Sequence, residues 1–133
     1  WFGNLARVHM HENKPKEALE LLLRARAIED ATLGADHADL AFTLTTMGEA
    51  YLALGEEDAA IKALERAVAL REKNSVRKEK LAESRFGLAK ALLKKDPKRA
   101  RALAESAEKG LSEAGSAGAA MRADVTAWLA AHP

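Results

Sequence analysis

The chain has 133 residues, 48% hydrophobic and 31% charged, with a formal net charge of +1 and no cysteine. Rich in Ala, Leu, Glu, Lys and Arg and poor in aromatics, it suits a single domain of long helices and argues against a β-sandwich. The missing cysteines exclude a disulfide framework, a thiolate nucleophile and a zinc finger; the balanced charge is a weak field for a polyanion; and no apolar run nears the roughly 18 residues of a membrane span.

From the N-terminus, Phe2, Leu5, Ala6 and His9 predict a first helix that ends at Asn13. Pro15 then sits just inside a second helix, where a missing N–H costs nothing. Ala18, Leu22 and Ala25 form its inner stripe. The stretch "ADHAD" (35–39) reads as a helix start capped by Asp36 and Asp39.

The next helix carries Leu44, Met47, Gly48 and Tyr51 at i, i+3, i+4 and i+7. Gly55 breaks it, and Glu56-Glu57-Asp58 opens another beside the positive end of its dipole. Ala60, Leu64 and Ala67 are that helix's inner stripe. A third pair follows with Leu88, Ala89 and Leu92, a turn one residue shorter, Asp96 as N-cap before Pro97, and Ala100, Ala104 and Ala107. Gly110, Gly115 and Gly118 are expected to loosen the chain before a last amphipathic helix marked by Met121, Val125, Trp128 and Leu129.

The slots recur after 42 and then 41 residues. A glycine inside a helix weakens it by about 1 kcal/mol relative to alanine, so Gly48 signals close approach of a neighbouring helix. One pair cannot bury its stripe alone, whereas stacked pairs can. The units are expected at 1–36, 37–78 and 79–116, with an end helix at 117–131.

Leu44, Met47, Gly48, Tyr51, Gly55, Ala60, Leu64 and Ala67, in this order and spacing, resemble the tetratricopeptide repeat (TPR). The long period and the loop "LGADHADLA" (33–41) are similar to its kinesin-light-chain subtype, although Ala38 replaces the usual proline. The third unit departs from the pattern, with Arg85 in the slot of Phe2 and Leu44, and with Ala104 for a larger residue. The resemblance implies an all-α, right-handed solenoid of about three helix pairs closed by a C-terminal capping helix. A narrower one concerns "REKNSVRKEKLAESRFGLAKALL" and "RARALAESAEKGLSEAGSAGAAMRADVTAWLAAHP". These look like the C-terminal TPR region of bacterial, myxobacterial-type serine/threonine protein kinases, which implies a kinase domain upstream. The chain opens on Trp1 with no initiator methionine or signal peptide. It is expected to be a cytoplasmic piece of a longer protein.

No chemistry is expected within the chain. Phosphate-binding glycine motifs, kinase H-R-D and D-F-G motifs and a G-x-S-x-G elbow are all missing, so no catalytic residue, cofactor or metal is assigned. His9 occupies the slot of Tyr51 and reads as packing, and at i, i+2 it does not share a face with His11. His37 belongs to the helix-start loop, and His132 is terminal and expected to be mobile. The basic runs 71–80 and 94–101 read as solvated loop ends at opposite edges of the stack, without interleaved aromatics, so neither nucleic acid nor membrane is an expected partner.

In TPR arrays the first helix of each pair lines the concave face. The resemblance therefore places Arg7, Met10 and His11; Phe42, Thr45, Glu49, Leu52 and Ala53; and Glu83, Phe86, Lys90, Leu93 and Lys94 at exposed inner positions. The residues expected to touch a peptide or protein partner are Arg7, Met10, His11, Phe42, Thr45, Glu49, Phe86, Lys90 and Lys94. Phe42 and Phe86 would anchor it. Arg7, Glu49 and Lys90 form a column of alternating charge. A clamp for a terminal carboxylate is not expected, because Gly3, Thr45, Thr46 and Gly87 stand where it needs lysines and asparagines. The alternative reading is a self-associating or capping segment with an empty groove.

Overall fold

The computed structural model describes residues 2–32, 37–74 and 76–133. Trp1, residues 33–36 with the expected cap Asp36, and the side chains of Phe2 and Ala38 lie outside what is described. The helices are α1 (Phe2–His11), α2 (Pro15–Thr32), α3 (Ala38–Ala53), α4 (Glu57–Lys73), α5 (Lys78–Leu92), α6 (Pro97–Glu113) and, after a 3₁₀ turn at Gly115–Gly118, α7 (Ala119–Ala131). Among the described residues there is no strand.

Local chemistry sets the helix ends. Asn13 (φ 59°) and Gly55 (φ 79°) both take the left-handed conformation that terminates a helix, which glycine adopts freely and asparagine tolerates. The shorter third turn does without it. Asp96 accepts a hydrogen bond from the Arg99 N–H at 3.1 Å, with Pro97 opening α6. At α3 the cap is His37, whose Nδ1 accepts from the Asp39 N–H at 3.1 Å, rather than an aspartate. The expected loosening at Gly110 does not occur. α6 continues through it, because that turn lies against the start of α5, where an added Cβ would sit 3.9 Å from that of Ala82.

Each helix packs on the next, and α3 also touches α1 and α5. The corresponding contacts among α2, α4 and α6 are weaker, so the stack is tighter on its α1–α3–α5 side. Two apolar cores result. Ala6, Ala18, Leu22, Leu40, Leu44 and Met47 fill one, in the α1–α4 half. Phe86, Leu88, Ala104, Leu111, Val125 and Leu129 fill the other, in the α4–α7 half. α4 serves both, presenting Ala60, Leu64 and Val68 to the second core and Ala63, Ala67 and Leu70 to the first.

The small residue at 48 is required by Leu64. A Cβ on Gly48 would stand 2.3 Å from Leu64 Cγ. Gly48→Ala is therefore expected to destabilise the chain by about 1–3 kcal/mol of overpacking, despite alanine's better helix propensity. A urea midpoint equal to or above that of the unsubstituted chain would show that the α3–α4 approach is not this close.

Candidate functional site

The tight layer of α1, α3 and α5 leaves a cleft of about 370 Å³, lined by Met10 from α1, Glu49, Leu52 and Ala53 from α3, and Gly87 and Lys90 from α5, with Leu64 of α4 as its floor. Leu64 lies directly beneath Gly87, where a Cβ would stand 2.9 Å from Leu64 Cδ2, and is itself fully buried, so the open apolar surface comes from Met10, Leu52 and Ala53. The cleft is thus an apolar trough with one carboxylate and one ammonium in its walls.

Neither charge is neutralised by a close ion pair. Among the described residues no pair within 4.0 Å includes Glu49 or Lys90. Burial pushes the Glu49 carboxyl above its ordinary value; the charges of Arg7, Lys90 and Arg71 pull it back, and that of Glu83 adds to the rise. The Lys90 ammonium lies 4.5 Å from the centre of the Phe86 ring, a cation–π contact.

Beside the cleft runs a buried polar seam that ties the repeats together. Arg71, 4% exposed, donates from Nη1 to the Lys80 carbonyl (2.6 Å), Ser84 Oγ (2.9 Å) and Glu83 Oε1 (3.2 Å). Arg7 holds the other oxygen of Glu83 at 3.2 Å and donates to Thr46 Oγ1 at 3.3 Å. Ser84 Oγ in turn shares a hydrogen bond with Thr45 Oγ1 at 2.8 Å. Glu83 is therefore gripped from α1 and from α4 at once. Burial raises its carboxyl, but the charges and hydrogen bonds of the two guanidiniums outweigh that and hold it below the ordinary range. Burial likewise lowers the Arg71 guanidinium, against the pull of Glu83.

Of the residues expected at the partner face, Met10, Glu49 and Lys90 meet in the cleft. Arg7 faces the same layer, but its guanidinium is turned to Glu83 and lies 4.8 Å from the Phe42 ring centre. Phe42 is half-buried and lines a separate hollow of about 440 Å³ with Gly3, Asn4, Ala25 and Ile28. His11 is exposed at the end of α1, outside the cleft. Lys94 lies beyond α5, 3.9 Å from Glu57 at the start of α4.

Two expected positions are corrected. Thr45 is not exposed; it is fully buried, with its hydroxyl bonded to the Ala41 carbonyl at 2.7 Å as well as to Ser84. Phe86 is not a free anchor either. It is buried at 8% exposure, with the Trp128 ring edge-on at 6.0 Å. The capping helix fills the place a partner was expected to take. Nor does His132 hang free: its ring lies 4.6 Å from Trp128, its Nδ1 meets the Trp128 carbonyl at 2.8 Å, and Arg101 donates to the His132 carbonyl at 2.8 Å.

Glu83 and Arg71 were not legible as a pair. Arg71 heads the run read as solvated, yet it continues the inner stripe Ala60, Leu64, Ala67 by one more turn. A cation on an apolar stripe is the available signal, since a charge is buried only with a partner. Among the described residues no group of three or more His, Asp or Glu could hold a metal ion, and no helix is long and apolar enough to cross a membrane.

The fold and this inner layer define a class: stacked antiparallel helix pairs that present one continuous face of first helices. A family model for the tetratricopeptide repeat matches residues 1–73, more than half the chain, and the chain belongs to that family. It is also similar to two solved structures of Podosopora anserina kinesin light chain nearly identical TPR-like repeats, one of them a point variant. Each is 26% identical, with TM-scores of 0.82 and 0.81. The match covers 98% of this chain and 63% of each of those, so this chain spans less than two thirds of their length. No curated protein matches.

Proposed function

We propose that the chain is a non-catalytic interaction module that binds a peptide or protein segment on its α1–α3–α5 face, at the cleft over Leu64. The observation that carries this is the cleft itself, an apolar floor walled by a carboxylate and an ammonium that no ion pair occupies. Ligand sites are characteristically concave and mostly apolar, with a few placed polar groups, which is the make-up of this cleft. Repeats of this family mediate protein–protein contacts, which supports the same reading. The finer proposal, that the module recruits substrates or regulators to an upstream serine/threonine kinase, is supported only by the resemblance of residues 71–93 and 99–133. H-R-D and D-F-G motifs in the upstream gene sequence would be its first requirement.

The test uses a partner captured by the full-length protein. Ala53 is exposed at the cleft wall, so Ala53→Arg should block the cleft without disturbing a core. It is expected to weaken capture at least about tenfold, as loss of one central contact does. Lys62→Glu, on the exposed side of α4, should leave capture intact. The opposite pattern would place the partner elsewhere.

One observation favours self-association as a second reading. Leu5 and Val8 on α1 are 38% and 51% exposed, whereas their counterparts Met47 and Ala50 on α3 are buried. Light scattering across a concentration series decides it: growth in mass that Val8→Lys abolishes supports it, and a constant monomer mass rejects it.

A further inference from the structure

Every cation around Glu49 except Lys90 is already committed. Arg7, from α1, and Arg71, from α4, are both bonded to Glu83 of α5. Lys90 lies against the face of Phe86 instead of reaching Glu49 within 4.0 Å. Glu49 therefore stands in water-poor surroundings without a close cation of its own. A carboxylate placed so gains more from an incoming cation than a solvated one does, because much of its desolvation is already part of the folded state. Lys90 offers less to an incoming anion: its ammonium is a compact, strongly hydrated charge whose pairing near the surface is weak. It does repel a second cation, which fixes where a basic group can sit. Next to Glu49 the trough walled by Met10, Leu52 and Ala53 is apolar and has room for one aliphatic side chain.

We infer that the cleft selects a peptide segment in which an aliphatic side chain, seated against Met10 and Leu52, adjoins a lysine or arginine whose cation pairs with Glu49. The inference rests on the reading of this face as a peptide-binding surface and adds the chemistry of what it takes. Low pH should act on it in a defined direction. The charged groups that face Glu49 are Arg7 on α1, Arg71 on α4, and Glu83 and Lys90 on α5. Of these only Glu83 titrates in the acid range, and it is held below the ordinary carboxylate value, whereas Glu49 is raised above it. On acidification Glu49 loses its charge first, and basic peptides should dissociate before the seam is disturbed.

The experiment is fluorescence anisotropy with the 133-residue chain and labelled nine-residue peptides. Each has a central leucine in a glycine–serine background, with lysine, arginine, glutamine or glutamate beside it. Basic peptides are expected to bind at least about tenfold more tightly than the glutamine peptide, with the glutamate peptide weakest. Glu49→Gln should erase that preference while its melting curve stays cooperative, and Lys90→Gln should preserve it. Ala53→Phe, which fills the trough without adding a charge, should weaken all the peptides alike. A preference unchanged in Glu49→Gln, or tightest binding of the glutamate peptide, overturns the inference but leaves peptide binding standing. Failure of every peptide to bind at millimolar concentration overturns both.

Discussion

Glu83→Ala is expected to be among the most destabilising single substitutions in the chain, lowering stability by about 3–5 kcal/mol. The cost comes mainly from Arg71, which is 4% exposed and would be left as a buried cation bonded only to neutral oxygens, with the more distant Glu49 as its remaining counter-charge. The lower end of the range is expected, because the Arg7 side chain is 31% exposed and water screens it once Glu83 is gone. Glu83→Gln keeps one acceptor oxygen but turns an amide N–H donor toward the second guanidinium, so it should recover only part of that loss. Urea unfolding at neutral pH measures both. Equal midpoints for Glu83→Ala and the unsubstituted chain would mean that the seam does not hold α1, α4 and α5 together.

The same residue sets an acid dependence whose sign is fixed. Its folded carboxyl is depressed below the ordinary 4.5. Its contribution is therefore present in full above the unfolded value and is lost as pH falls through the depressed folded one. Glu49 acts the other way. Its carboxyl is raised by burial, so protonation on the way down relieves a cost and favours the folded state. The acid limb of the stability curve should flatten in Glu83→Gln and start from a higher neutral plateau in Glu49→Gln.

Leu64→Ala should cost about 2–5 kcal/mol. Leu64 is fully buried and fits against two glycines, Gly48 on α3 and Gly87 on α5, neither of which has a side chain to move into the space. The site can collapse little, which favours the upper half of the range. The close approach also predicts non-additivity. Gly48→Ala overpacks the unsubstituted chain, yet in the Leu64→Ala background its methyl enters the vacated space. The double-mutant cycle should show a favourable coupling of at least about 1 kcal/mol. Strictly additive effects would mean that the two residues do not share one packing constraint.

The helix pairs were legible because spacing and small residues carry them. Gly48 and Ala60 mark where α3 and α4 meet, and Asn13 in the slot of Gly55 reproduces the left-handed end of the first helix. Of the column Arg7, Glu49, Lys90, the last two line one cleft. Arg7 is close enough for its charge to act on Glu49, but repeat alignment shows only which residues are neighbours on a face, whereas an ion pair depends on side-chain reach. Arg7 spans past Glu49 to Glu83, which already had a second cation beside it. Thr45 and Phe86 share a register slot, and both are buried. Thr45 points at Ser84 of α5 and Phe86 at Trp128 of α7, and nothing in the spacing of α5 records that Trp128 returns to cover Phe86.

α4 belongs to both apolar cores, with alternate faces of one helix committed to each half of the chain. The two cores cannot be separated without stripping one face of α4, so the halves cannot part like two domains on a hinge. Amide hydrogen exchange should register this as a gradient. The protons of α1, which packs on α2 and α3 and exposes Leu5 and Val8, are expected to exchange through local fraying. Those in the middle of α4 exchange only when the whole chain opens. A substitution anywhere in either core should then shift the exchange of α4 by its full effect on global stability.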